Sequence, residues 1–250
     1  MLSRLPLAAA MIALTASPLA AFDINAMNDA ERDAFRAEIR AYLMENPEVL
    51  LEAIDVLEQR QANEQAASDV TLVETNSDDI FNDGFSYVGG NPDGDITVVE
   101  FMDYRCGYCR RAHPDVNALV ETDGNIRYVI KEFPILGDQS VLAAKFAIAV
   151  QQVEGEDAYF ETHNDLMTMR GDVTPEALTA MANDKGFDTE AVMAAMESPE
   201  VAEVINANHA LAQRMQISGT PTFVFETQLV RGYVPLDGML GLVDELRGEG

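Results

Sequence analysis

The chain has 250 residues, 48% of them hydrophobic and 24% charged, so it can hold one sizeable globular core or two smaller ones. Its 43 acidic and 16 basic residues give a formal net charge of −27. This charge argues against nucleic-acid binding, which needs a basic patch, and against attraction to anionic lipid. An acidic, well-solvated surface keeps a protein soluble, and nothing local indicates that the acidity selects basic substrates.

The first 21 residues have the features of a secretory signal peptide. Arg4 supplies a positive charge, Leu5 to Thr15 form an apolar run, and small residues precede a cleavage point after Ala20 or Ala21. The apolar run is too short to be a convincing membrane span. We therefore expect residues 1–21 to be removed and the mature protein to reach a compartment where disulfides form.

Residues 22–79 predict a helical segment followed by a linker. Apolar residues recur at helical spacing in two runs, which comprise Phe35, Ile39, Tyr42 and Leu43, then Leu50, Ile54 and Leu57. Asn46 and Pro47 predict the start of the second helix, with the asparagine as N-cap. Two short amphipathic helices cannot bury both stripes alone, so residues 28–66 pack either on the core or on another chain. Residues 62–79 are polar without strong periodicity and predict the linker.

A globular domain is predicted over residues 80–250. The turn cluster Gly89–Gly94 precedes a strand that starts at Ile96 and is rich in β-branched and aromatic residues. A helical segment follows, and Pro114 lies inside it, where a proline kinks a helix without ending it. Residues 125–133 predict the next strand, so two parallel strands joined by a helix form a βαβ unit.

The remaining residues predict a run of helices and then a hairpin. Helical patterns cover residues 141–153 and 158–169, and two further helices open at Thr174-Pro175-Glu176 and Ser198-Pro199-Glu200, where an N-cap precedes a first-turn proline. Residues 222–225 and 229–233 predict the two strands of a β-hairpin, and residues 236–246 a closing helix.

Cys106 and Cys109 lie where the first strand of the βαβ unit leads into its helix. At a helix N-terminus the macrodipole and the free backbone N–H groups favour the thiolate, which is the species that attacks disulfides. A disulfide between these cysteines would enclose only two residues and would constrain the unfolded chain little. Because the chain has no third cysteine, the pair is predicted to serve redox chemistry, with Cys106 as the exposed attacking thiol and Cys109 as the resolving thiol. Arg105, Arg110 and Arg111 are candidates for stabilising the thiolate.

Two other functions compete with redox exchange. Zinc would need two further ligands, and His113, His163 and His209 lack finger-like spacing, so no metal site is predicted, although two thiolates can bind Cu(I). A periplasmic Cu(I)-binding or copper-tolerance protein is therefore the alternative, and a structural adaptor without chemistry is a third hypothesis. No cofactor is predicted.

The cysteine motif resembles the active-site element of the DsbA-like branch of the thioredoxin fold, in which a strand carrying a Glu-Phe pair, here Glu100-Phe101, precedes the cysteines. Residues 218–225 resemble the loop in which these folds place a cis-proline beside the active site. The 111 residues between Cys109 and Pro221 exceed what a bare thioredoxin fold needs. The resemblance implies an α/β thioredoxin fold with a helical domain inserted at about residues 138–216 and an N-terminal helical segment.

The resemblance also implies roles for individual residues. Thr220 and Pro221 are expected to line the substrate groove, in which the backbone before the proline can pair with an extended chain. Gly107 and Tyr108, between the cysteines, are expected to contact substrate. Glu100 is costly in an apolar strand unless it has a partner, and Lys131 is the candidate. We expect Glu100 to relay protons to or from Cys109.

Residues 45–54 resemble the N-terminal segment of ScsC-like periplasmic proteins, some of which oligomerise through this end. The dipeptide Gly107-Tyr108 and Thr220 before the proline are similar to what disulfide isomerases of the DsbC type carry. The resemblance therefore implies a periplasmic enzyme that forms or isomerises disulfides in protein substrates and is reset by a membrane redox partner. A homo-oligomer through residues 28–66 favours isomerase activity, and a monomer favours oxidase activity.

Overall fold

The computed structural model describes residues 24–248, and the predicted signal peptide lies outside the described residues. The chain divides into two compact units, with the boundary between Gln59 and Arg60. Within residues 24–248, no helix is both long enough and apolar enough to cross a membrane.

The first unit contains a 3-10 turn (Ile24–Ala26), helix α1 (Asp29–Glu45) and the start of helix α2 (Glu48–Thr75). Asn28 caps α1 in a capping box with Glu31, because each side chain accepts a hydrogen bond from the other's backbone N–H. The expectation that Asn46 is the N-cap of the second helix is wrong. Its side-chain amide instead donates to the carbonyl of Tyr42 at 2.9 Å, at the C-terminal end of α1.

Helix α2 continues through most of the predicted linker. It runs without a break to Thr75, and a short helix α3 (Ser77–Phe81) follows. The prediction of irregular structure over residues 62–79 is therefore wrong. Polar residues without periodicity can still form a helix, and residues 48–83 contain neither glycine nor proline to end one. Val73 and Ile80 are fully buried, so this part of the chain packs on the core of the second unit.

The second unit is built on a five-stranded sheet in the order β1-β3-β2-β4-β5. Its strands are β1 (Tyr87–Gly90), β2 (Ile96–Met102), β3 (Ile126–Glu132), β4 (Thr222–Phe225) and β5 (Gln228–Arg231). Strands β2 and β3 are parallel and joined by helix α4 (Gly107–Asp123), which confirms the predicted βαβ unit. Strands β1, β4 and β5 pair antiparallel with their neighbours.

Strand β1 was not expected, because Gly89 and Gly90 favour a turn. Gly90 has a φ of +67°, and a β-carbon there would lie 2.4 Å from the carbonyl oxygen of Ile126. A glycine is therefore required at this position, both for its backbone conformation and for the close approach of β3.

Five helices lie between β3 and β4, as the predicted insertion requires. They are α5 (Asp138–Glu154), α6 (Glu156–Thr168), α7 (Pro175–Lys185), α8 (Thr189–Ala195) and α9 (Pro199–Arg214), and α10 (Leu236–Arg247) closes the chain. Thr174 and Ser198 cap α7 and α9, each ahead of a first-turn proline, as predicted. Helix α8 was not predicted as a separate element.

The two faces of the sheet are covered by different helices. One face packs against α4, α5, α6 and α10, and it includes Val98 and Met102 of β2. The other face packs against α2, α3 and the end of α9, and it includes Val99 and Phe101. Side chains alternate between faces along a strand, so Glu100 shares the first face with Val98 and Met102.

Lys131 is not the partner of Glu100. Lys131 lies opposite Phe101 in the β2–β3 register, whereas Glu100 lies opposite Ile130, so the two side chains point to different faces of the sheet. The fully buried Lys131 ammonium pairs instead with the carboxylate of Asp83 and donates to the carbonyl of Asp79 at 2.7 Å.

We expect Asp83→Asn to lower the free energy of unfolding by about 3–5 kcal/mol, because it leaves the buried charge of Lys131 without its counter-ion. Urea denaturation of the reduced protein measures this loss. The exposed Asp93 is the matched control, and Asp93→Asn is expected to change stability by less than about 0.5 kcal/mol. Equal effects of the two substitutions would contradict the structural role of the pair.

Candidate active site

Cys106 lies at the N-terminus of helix α4, after a short turn that follows strand β2. It is the N-cap residue of α4, and its sulfur accepts a hydrogen bond from the backbone N–H of Cys109 at 3.4 Å. Both cysteines are in the free thiol form. Cys106 is only 6% exposed and Cys109 is 0% exposed, so the prediction of an exposed attacking thiol at Cys106 is wrong. The exposed residues at this position are Gly107 and Tyr108, and Tyr108 is 63% exposed.

The pKa values of the two thiols are shifted in opposite directions. Hydrogen bonds lower the pKa of Cys106 to about 5. The largest contribution comes from the Cys109 side chain, and further hydrogen bonds come from the Thr220 side chain and from the backbone N–H groups of Cys109 and Tyr108. Burial raises the pKa of Cys109 far above its ordinary value, and the hydrogen bond to Cys106 and the nearby Glu100 raise it further. Near neutral pH, Cys106 is therefore a thiolate and Cys109 a neutral thiol.

The three arginines beside the cysteines are engaged elsewhere. Arg105 donates to the carbonyl of Gly171 at 2.7 Å, and Arg110 donates to the carbonyl of Tyr104 at 2.7 Å. The guanidinium of Arg111 lies over the ring of Tyr233, 4.8 Å from its centroid. The largest causes of the low Cys106 pKa are hydrogen bonds, so local donors account for the thiolate better than these charges.

The predicted cis-proline loop lies beside Cys106. The Thr220–Pro221 peptide bond is cis, and the sulfur of Cys106 lies 3.1 Å from the carbonyl oxygen of Thr220. A cleft of about 360 Å³ borders this loop and is lined by Thr220, Pro221, Arg231 and Gly232, among others. The fold therefore brings together Cys106 and Thr220, which are far apart in the sequence.

Glu100 is buried near the cysteines and has one partner. Its Oε2 accepts a hydrogen bond from the hydroxyl of Tyr128, and its Oε1 has none from any described residue. Burial raises the pKa of Glu100 to about 7, although the bond from Tyr128 opposes this rise and the charge of Cys106 adds to it. The carboxyl can therefore gain or lose a proton near neutral pH, as a proton relay requires.

A second buried carboxyl was not predicted. Glu132 lies on the same face of the sheet and accepts bonds from the hydroxyls of Tyr104 and Tyr159, each at 2.7 Å. Burial raises its pKa to about 8. The signal that singled out Glu100, a carboxylate in an apolar strand, applies equally to Glu132 and could have found it.

Asp103 anchors the turn that leads into the cysteines. One of its oxygens accepts from the N–H of Arg105 and the hydroxyl of Ser140, and the other accepts from the N–H groups of Ile135 and Leu136. A buried carboxylate with four donors is well satisfied, so Asp103 ties the active-site turn to the end of β3.

Two families match the chain. The family described as Thioredoxin matches residues 82–245, which is more than half of the chain. The family described as Copper resistance protein ScsC N-terminal domain matches residues 31–64.

Crystal structures of related proteins share the fold. A thioredoxin-like oxidoreductase from Silicibacter pomeroyi DSS-3 is 43% identical, covers 69% of this chain and 98% of its own, and superposes with a TM-score of 0.64. Proteus mirabilis ScsC in a transitional conformation is 26% identical, covers 91% of this chain and 100% of its own, and has a TM-score of 0.64.

Curated relatives match over part of their length. Disulfide bond formation protein D of Bacillus subtilis (strain 168) is 25% identical over 64% of this chain and 77% of its own length. The Na(+)/H(+) antiporter NhaA 1 of Salinispora arenicola is 31% identical over 55% of this chain. The matched region covers only 21% of the length of that antiporter. The Thioredoxin family model and the Silicibacter pomeroyi structure each cover more than half of this chain, and they decide to which family it belongs. This chain belongs to the Thioredoxin family, and its residues 31–64 match the ScsC N-terminal domain.

Proposed function

We propose that this protein is an exported, periplasmic thiol–disulfide oxidoreductase that forms or isomerises disulfides in secreted proteins. The observation that carries the proposal is the asymmetric pair at the start of α4, in which Cys106 is a stabilised thiolate and Cys109 is a buried neutral thiol. Relatives named as a thioredoxin-like oxidoreductase and a disulfide bond formation protein support it.

In the oxidative direction, a substrate thiolate attacks the Cys106 sulfur of the Cys106–Cys109 disulfide. A mixed disulfide forms, and Cys109 leaves as a thiolate that takes a proton from Glu100. A second substrate thiolate then attacks the substrate sulfur of the mixed disulfide, which completes the substrate disulfide and releases the Cys106 thiolate. The low pKa of Cys106 makes it a good leaving group, so this step is favoured.

Substrates are expected to bind along the cis-proline loop. Ser218, Gly219 and Thr220 border the cleft beside Pro221, and an extended substrate chain can pair with the backbone there. The exposed Tyr108 and the exposed Leu136 offer apolar surface for the substrate's side chains. A membrane redox partner is proposed to reset the dithiol, and the same exposed residues would contact it.

The Cu(I) alternative has less support. Two thiolates can bind Cu(I), but the match to the copper resistance protein ScsC N-terminal domain covers residues 31–64 and does not include the cysteines. The relatives named for disulfide chemistry favour exchange over copper binding.

The N-terminal helices are proposed to join copies of this chain. Within the described chain α1 buries none of its residues, and both helices expose apolar side chains in a four-then-three spacing: Phe35, Ile39 and Tyr42, then Leu50, Ile54 and Leu57. This is the spacing of helix–helix seams. An oligomer would hold several active sites together, which suits the repeated attack that isomerisation needs.

We expect the double substitution Ile54→Glu and Leu57→Glu to reduce the protein to a monomer and to lower the rate of scrambled-disulfide repair about tenfold or more. Light scattering measures the molar mass, and refolding of a scrambled substrate measures the repair. Oxidation of a reduced substrate should change little, because each active site remains intact. The matched control replaces the exposed Glu52 and Glu58 by Gln and should keep both mass and repair. A wild-type monomer that oxidises substrates but cannot repair them would make this protein an oxidase.

A further inference from the structure

Cys109 and Glu100 are both closed off from water. Cys109 is 0% exposed and Glu100 is 2% exposed, yet exchange requires Cys109 to gain and lose a proton. Glu100 must therefore keep a defined orientation toward Cys109 and change its protonation state near the working pH. A carboxyl on an apolar strand face has little to orient it except its hydrogen-bond partners.

Within residues 24–248, only the hydroxyl of Tyr128 donates a hydrogen bond to the Glu100 carboxyl. Tyr128 lies opposite Val98 in the parallel β2–β3 register, and Glu100 lies two residues beyond Val98 on the same face. The bond occupies Oε2, whereas the buried Oε1 has no partner among the described residues. Tyr128 thus holds one oxygen and leaves the other available for proton exchange.

Tyr128 also lines a cleft of about 500 Å³, together with Tyr87, Asn117, Glu121 and Phe160. Asn117 and Glu121 belong to the later turns of α4, not to the first turn that carries the cysteines. The Tyr128–Glu100 pair therefore adjoins a cleft that is separate from the one beside Pro221.

We propose that Tyr128 is a positioning residue of the proton exchange at Cys109: it holds the Glu100 carboxyl and sets the pH at which Glu100 changes its protonation state. This inference rests on the oxidoreductase function proposed above. When Cys109 leaves as a thiolate, the proton passes from the Glu100 carboxyl to the Cys109 sulfur, and the resulting carboxylate is stabilised by the Tyr128 hydroxyl. Glu100 regains this proton when Cys109 is deprotonated again as the Cys106–Cys109 disulfide reforms, so the proton count balances over a cycle.

Other titratable groups surround this pair. They are Cys106 and Cys109 on α4, Asp103 and Tyr104 in the preceding turn, Glu132 on β3 and Tyr159 on α6, while β4 presents Phe223 opposite Glu100. Tyr159 donates to Glu132 and not to Glu100, which makes it a matched control. Burial and the neighbouring carboxylates keep both tyrosines neutral, so Tyr128 can act as a donor throughout the working range.

The test is Tyr128→Phe in the full chain, which keeps the ring and removes the hydroxyl. Because the hydroxyl stabilises the ionised carboxyl, its loss should move the Glu100 titration to higher pH by about one unit. Carbon-13 NMR of labelled glutamate carboxyls measures this, with Glu100 assigned by the signal lost in Glu100→Gln. Tyr159→Phe should leave the Glu100 signal at its wild-type midpoint.

The kinetic readout is reduction of the protein's disulfide by dithiothreitol, corrected for the thiolate fraction of the reagent. In the wild type the corrected rate should fall as the pH rises past about 7, because Glu100 loses the proton that Cys109 needs. In Tyr128→Phe, the pH at which the rate falls should increase by the same amount as the NMR midpoint. In a protein that already carries Glu100→Gln, adding Tyr128→Phe should not change the pH dependence of the rate.

An unchanged midpoint in Tyr128→Phe, or an equal shift in Tyr159→Phe, would overturn the inference. The failure of the proposed function is a separate result: a wild type that exchanges no disulfide with dithiothreitol refutes the function. The NMR titration would still decide whether Tyr128 controls Glu100, because it needs no turnover.

Discussion

Replacing Cys106 by serine is expected to lower the rate of thiol–disulfide exchange by about 1,000-fold or more. The structure leaves no substitute nucleophile, since Cys109 is fully buried and its pKa is strongly raised. The loss of rate is measured by oxidising a reduced substrate protein and monitoring the activity that this substrate regains as its disulfides form.

The companion variant Cys109→Ser should behave differently. Its Cys106 thiolate can still attack a substrate disulfide, but no resolving thiol remains, so a mixed disulfide accumulates. Non-reducing electrophoresis should show this adduct for Cys109→Ser and not for Cys106→Ser. Adducts on Cys109 in the Cys106→Ser variant would contradict the assignment of the two roles.

The Cys106 thiol is expected to titrate near pH 5 in the reduced protein, against an ordinary value of 9.0. At pH 7 this makes the thiolate roughly 100-fold more populated than in an ordinary cysteine. Absorbance at 240 nm measures the thiolate, and Cys106→Ser should lack the transition. A midpoint near 8 to 9 would mean that the hydrogen bonds at the start of α4 do not act on Cys106.

The same shift makes stability depend on pH. The folded pKa of Cys106 is depressed, so its contribution is fully present above the unfolded value of 9.0 and is lost as the pH falls through about 5. The reduced protein should therefore gain in thermal stability relative to the disulfide form between pH 5 and pH 9. The disulfide itself adds little, because it encloses only two residues. A constant difference between the two forms across this range would contradict a depressed Cys106 pKa.

Features that depend on neighbouring residues could be predicted from the sequence. Thr174 and Ser198 cap their helices because a short polar side chain before a proline satisfies the first N–H groups, whatever the rest of the chain does. The cysteine pair was placed at a helix start for the same local reason. Only the later part of helix α2, from residue 62 onward, was predicted to be a linker, because its polar residues lack periodicity even though no helix-breaking residue interrupts them.

Features that depend on pairing between distant segments could not be predicted from the sequence. The assignment of Lys131 to Glu100 was wrong because the face of a side chain depends on strand register, and one residue of register reverses the face. Tyr128 escaped notice for the same reason, since its contact with Glu100 exists only once β2 and β3 pair. Strand β1 was missed because glycine disfavours strands, and only the close approach of Ile126 requires it there.

The sequence by itself determined which groups can do chemistry in this protein: two cysteines at a helix start, an acid in an apolar strand and a Thr-Pro pair ahead of a strand. These are local patterns, set by residue type and spacing. The tertiary structure alone decided their protonation states. The low pKa of Cys106 depends in part on a hydrogen bond from the Thr220 side chain, 114 residues away, and the raised pKa values of Cys109 and Glu100 come from burial in the folded core. Desolvation and hydrogen bonding act through space, so they arise only when the chain has folded.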